Sequence, residues 1–77
     1  MLRFGYVLKK LRLSANLSQS GLQQRSGVSR FTISQYENDR INMQLPKLIK
    51  LANGLGIEAW KILRYVEREY KSGKLDI

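Results

Sequence analysis

Between Ser26 and Arg40 the chain reads SGVSRFTISQYENDR, and the side chains able to do chemistry are spread unevenly around it. If Ser29 caps a helix, side chains advance about 100° per residue along it. With Ile33 as the inward direction, Phe31 falls about 160° away, toward solvent, and Glu37 about 40° away, toward the core. The outward side carries Phe31, Thr32, Ser34, Gln35 and Asn38, with Arg30 at its N-terminal edge and no acidic group. Gln pairs bidentately with adenine and Arg with guanine, Ser and Thr adapt to several partners, and an aromatic edge suits the thymine methyl. Recognition of base edges in double-stranded DNA is the chemistry this combination predicts, with Arg30, Phe31, Thr32, Ser34 and Gln35 as the reading set.

Other chemistries lack their reagents. The chain has neither His nor Cys, which removes the commonest general base, the thiol nucleophile and the usual zinc ligands. No catalytic site, metal site or cofactor is expected. The net charge is +8, and its distribution says more than its size. Residues 1–57 hold nine basic groups against Glu37 and Asp39, whereas residues 58–77 hold five against four. A cationic N-terminal part points to a polyanionic partner. No run approaches the roughly 18 apolar residues of a spanning helix and the N-terminus does not read as a signal peptide. A cytoplasmic protein of the prokaryotic or phage-type cytosol, without membrane contact, is the expectation.

These side chains must be held by helices, because period-2 patterning is absent except at the tail. At 77 residues the chain makes one small domain. Helix 1 is predicted from about Arg3 to Ser14, with Phe4, Leu8, Leu11 and Ala15 on one face and Asn16 as its stop. Ser18 caps a short helix 2, anchored by Leu22 and ended by Gly27. Ser29 caps helix 3, which runs to about Asn38. NDRINMQ reads as a loop. Helix 4 opens at Leu45-Pro46, buries Leu45, Leu48, Leu51, Ala52 and Leu55, and is closed by Gly54 and Gly56. Helix 5 runs from about Glu58 to Lys71, stopped by Gly73. Helices 2 and 3, joined by SGVS, form a helix-turn-helix wedged apart by Val28 and Ile33.

Arg12 lies about 40° from Leu8, so the apolar stripe of helix 1 carries a charge just as that of helix 3 carries Glu37. Either would be costly to bury alone. Paired, with the guanidinium gripping the carboxylate bidentately, they would brace helix 3 against helix 1.

The run FGYVLKKLRLSANLSQSGLQQRSGVSRFTISQYENDR, followed by LPKLIKLANGLGI, resembles the Cro/repressor-type helix-turn-helix family, also called the xenobiotic-response-element family. The resemblance spans roughly residues 4–57. It rests on Arg12 in KKLR, on LSQ at Leu17–Gln19, SGVS, TISQYE ending in Glu37, and LIKLANGLGI. It implies an all-α, five-helix Cro/repressor-like fold and DNA binding as a homodimer, with the recognition helix from Arg30 to Asn38 and an Arg12–Glu37 pair. It implies a phosphate contact by Gln19, and Ser29, Asn38 and Arg40 are assigned to phosphates beside it. Three features depart from the family pattern. Gln23 stands where a small Ala is usual, Gly21 weakens helix 2, and Asp39 and Met43 stand where Gly and Pro are frequent.

Residues 1–57 are thus expected to form the DNA-binding core, and 58–77 a fifth helix and tail that pack and dimerise within the same domain. Taking Leu63 as inward places Ala59, Trp60, Val66 and Tyr70 with it and leaves Ile62 and Tyr65 on a neighbouring strip, as the dimer contact. The tail KLDI alternates like an edge strand. The function these observations predict is a dimeric, sequence-specific transcription regulator, a repressor occluding a palindromic operator through the major groove. The alternative is an antitoxin-like module that masks a protein partner and binds its own operator. Non-specific DNA or RNA binding is a third reading.

Overall fold

The computed structural model describes residues 4–71. Arg3, Gly73 and the KLDI tail, for which the sequence suggested a helix start, a helix stop and an edge strand, lie outside the described residues. Within them the chain is all-α, with α1 at Phe4–Ser14, α2 at Gln19–Ser26, α3 at Arg30–Glu37, α4 at Leu45–Leu55 and α5 at Ala59–Lys71. No helix of the described residues is long and apolar enough to cross a membrane.

The helix ends form where short side chains and left-handed residues permit. Ser18 and Ser29 cap α2 and α3 by accepting the N–H of Gly21 and Thr32 respectively. Asn16 adopts φ 59° after α1, and Gly27 ends α2 at φ 79°. Pro46 lies in the first turn of α4, where no N–H is required of it.

The core has two adjoining parts. Leu8, Leu22, Val28, Ile33, Tyr36 and Leu51 join α1 to α4 through the helix-turn-helix. Val7, Leu48, Ala52, Ile62 and Val66 pack α5 against α1 and α4. Phe4, Met43 and Leu55 touch both parts. Two glycines set how closely helices approach. A Cβ at Gly5 would lie 2.6 Å from the carbonyl oxygens of Tyr36 and Glu37, and one at Gly54 would lie 2.8 Å from the Ser26 Cβ. Gly54 is therefore not the terminator of α4 but a contact point inside it, and Gly56 alone is the left-handed stop.

The structure corrects the phase of α5. Ile62 is fully buried and belongs to the core, so it is not a dimer-contact residue, while Leu63, Trp60 and Tyr70 face solvent. The inward stripe is Ala59, Ile62 and Val66. The cleft between α1 and α4 covers only one stripe of α5, and compact aliphatic side chains fill it. The amphipathic Trp and Tyr can keep a polar end wet. Two smaller corrections have the same origin: Leu45 is exposed at the start of α4, and Ala15 lies past the end of α1 in solvent.

Candidate nucleic-acid interface

The turn between α2 and α3 is built from local requirements. Gly27 takes the left-handed conformation and gives its N–H to the Gln23 carbonyl at 2.8 Å. Val28 then drops into the core, and Ser29 accepts the Thr32 N–H at 3.1 Å while its hydroxyl pairs with Thr32 Oγ1 at 2.9 Å. With Ile33 and Tyr36 buried, the opposite side of α3 is committed to solvent. Phe31 is 72% exposed there. Arg30 and Asn38 are exposed, Thr32, Ser34 and Gln35 are half-buried, and Arg40 is exposed just beyond the helix. Gln19, Gln23, Ser29, Arg30, Phe31 and Ser34 line an open depression of about 440 Å³ between α2 and the start of α3.

The two charges on apolar faces meet. Arg12 Nε donates to Glu37 Oε2 at 2.6 Å and Nη2 to Oε1 at 3.0 Å, with the two side chains 8% and 3% exposed. A third guanidinium nitrogen, Nη1, donates to the Leu17 carbonyl at 2.9 Å, and Gln19 Nε2 donates to Glu37 Oε1 at 3.1 Å. The Glu37 hydrogen bond, aided by its charge and opposed by burial, raises the Arg12 pKa above its ordinary value. The network joins α1, the loop after it, α2 and the C-terminal turn of α3, and among the described residues no buried side-chain nitrogen or oxygen is left without a partner. It holds α3 at both its orientation and its depth.

Several polar groups have partners that spacing alone did not suggest. Asp39, at φ 54°, accepts the Gly5 N–H at 3.0 Å and so caps α1 from 34 residues away. An Asp tolerates the left-handed region where the family pattern favours Gly. Arg25 Nε donates to the Gly54 carbonyl at 2.7 Å, tying α2 to α4. Asn38 Nδ2 folds back onto the Ser34 carbonyl at 2.9 Å. Gln23 Oε1 accepts the Arg30 N–H at 2.5 Å, which gives a physical role to the residue that replaces the small Ala. Tyr36 is buried, which raises its pKa, partly offset by a backbone hydrogen bond from Gln44. Both carboxylates near α3 are thus turned away from its outward face, Glu37 to Arg12 and Asp39 to Gly5. Among the described residues no group of three or more His, Cys, Asp and Glu gathers that could hold a metal ion.

The sequence pattern of the helix-turn-helix family matches residues 8–59. The control protein C.MunI of a Mycoplasma species is 36% identical over 69 residues, covering 88% of this chain and 93% of that protein. The restriction-modification controller protein C.AhdI from Aeromonas hydrophila is 34% identical, with a TM-score of 0.75 over 79% of this chain and 92% of that one. The controller protein C.Esp1396I, solved as a tetramer in complex with its natural 35 base-pair operator, is 25% identical, with a TM-score of 0.80 over 87% of this chain and 88% of that one.

Proposed function

This chain belongs to the helix-turn-helix family, and on that premise we propose that it is a controller-type transcription regulator, a homodimer that reads a palindromic DNA operator with α3 in the major groove. The observation that carries the reading is the outward face of α3: a 72% exposed Phe31 among Arg30, Thr32, Ser34 and Gln35, braced from behind by a buried ion pair and cleared of carboxylates. Arg30, Phe31, Thr32, Ser34 and Gln35 contact base edges. Arg40 meets phosphate beyond the helix, and Ser29 and Asn38, whose hydroxyl and amide protons are given to Thr32 and Ser34 in the free protein, reach phosphate by exchanging those partners. The Gln19 amide nitrogen is held by Glu37, so Gln19 meets phosphate with its main-chain N–H, at the first position of α2, where a helix leaves that donor unpaired.

A palindrome needs two copies, and C.Esp1396I sits on its operator as a tetramer. The surface suited to a second copy is an open groove of about 560 Å³ lined by Ile41, Leu45 and Leu63, with Phe4, Met43 and Leu48 at its floor. Leu45 and Leu63 are 62% and 49% exposed. Tyr65 points about 160° away from Leu63 around α5, so the contact centres on Leu63. Leu45→Glu combined with Leu63→Glu should give a folded monomer by sedimentation; an unaltered dimer would move the interface to the Tyr65 flank. Bound at a promoter, the dimer represses by occlusion.

Selection of bound duplexes from a random pool tests the whole reading. A palindromic consensus with half-sites one helical turn apart, roughly 34–36 Å, is the expected result. Recovery without a consensus would leave only non-specific nucleic-acid binding. Gln35→Ala and Phe31→Ala should each lose roughly 1–3 kcal/mol on the selected site, with discrimination relaxed at particular base pairs.

A further inference from the structure

Resting on the reading of α3 as the recognition helix, we propose that Gln23 is a positioning residue for base recognition: its side-chain carbonyl holds the first N–H of α3 and thereby sets where Arg30 stands over the DNA. The first four N–H groups of a helix have no partner inside it. In α3, Ser29 serves Thr32, and the Arg30 N–H is taken across the turn by Gln23 Oε1 at 2.5 Å. One turn earlier on the same face of α2, Ser20 Oγ accepts from Arg30 Nη1 at 3.4 Å. Arg30 is therefore held by α2 at its main chain and at its guanidinium. An Ala at position 23 could supply packing but no acceptor. Gln23 is exposed and lines the depression beside the reading face, so its contribution lies at the DNA surface rather than in the core. Bidentate pairing of an Arg with guanine demands both reach and orientation, and a first turn of α3 released from α2 supplies neither.

The test is binding of four variants to a panel of single-base operator changes. Arg30→Ala and Gln23→Leu should lose discrimination at the same base pairs, by roughly tenfold, and the double variant should lose no more than Arg30→Ala alone. Gln23→Glu keeps an acceptor oxygen, so it should keep the wild-type preference profile while its added negative charge weakens binding evenly. In the free protein, exchange of the Arg30 amide hydrogen should quicken in Gln23→Leu and not in Gln23→Glu. A wild-type profile in Gln23→Leu, losses that add in the double variant, or unchanged Arg30 exchange would each overturn the proposal while leaving Arg30 as a reader. An unchanged profile in Arg30→Ala would remove Arg30 from the reading set and the role of Gln23 with it.

Discussion

The helix-turn-helix and α5 present opposite problems to the folding chain. In α1 to α3 each helix has a narrow apolar stripe, and the polar groups beside it interlock: Arg12 with Glu37, Gln19 with Glu37, Gln23 with the Arg30 N–H, Asp39 with the Gly5 N–H. In α5, seven of thirteen residues are apolar or aromatic, yet only Ile62 and Val66 are buried. Apolar burial is non-directional and roughly proportional to area, so several rotations of α5 look alike from its sequence. Hydrogen-bonded pairs have one geometry and remove that freedom. The region proposed to present a reading face is specified by directional contacts, and the region proposed to cover a partner is specified by area.

Breaking the directional side should cost most. Arg12→Ala or Glu37→Ala strands a buried charge, and each should lose roughly 3–5 kcal/mol in a denaturant melt. A loss within about 0.5 kcal/mol of wild type would mean the pair does not hold the fold. On the area side, Ile62→Ala should cost about 2–5 kcal/mol through the cavity it leaves, whereas Leu63→Ala should stay within about 0.5 kcal/mol when measured on the monomer. Equal losses at the two positions would reverse the phase of α5. Smaller effects sharpen the contrast. Arg40→Ala should weaken DNA binding evenly over operator variants and flatten the salt dependence by about one unit of slope.

The mildest expected effect is alkaline. Burial raises the Tyr36 pKa in the folded chain, so its phenol keeps its proton there at a pH where the unfolded chain has begun to release it. Its contribution is complete below the ordinary value of about 10 and is lost as pH rises through that value toward the raised one. Melts of Tyr36→Phe against wild type should therefore converge or cross above about pH 10; parallel curves would place the phenol in water.

What the sequence determined by itself is what local geometry decides. Ser18 and Ser29 as caps, Asn16 and Gly27 as left-handed residues, and Ile33 inward against Phe31 outward all follow from interactions within a turn or two. The Arg12–Glu37 pair was legible across 25 residues because a charge on an apolar stripe requires a partner, and each helix supplied one of opposite sign. Tertiary structure alone decided the rest. Asp39 meeting Gly5 and Arg25 meeting the Gly54 carbonyl join residues 34 and 29 apart, and neither group carries a local sign of its need. Gln23 read as an odd substitution until the turn brought α3 within its reach. The rotation of α5 waited on the width of the cleft between α1 and α4, because the fit of Ile62 and Val66 into that space, not their hydrophobicity relative to Leu63 and Trp60, selects the buried face.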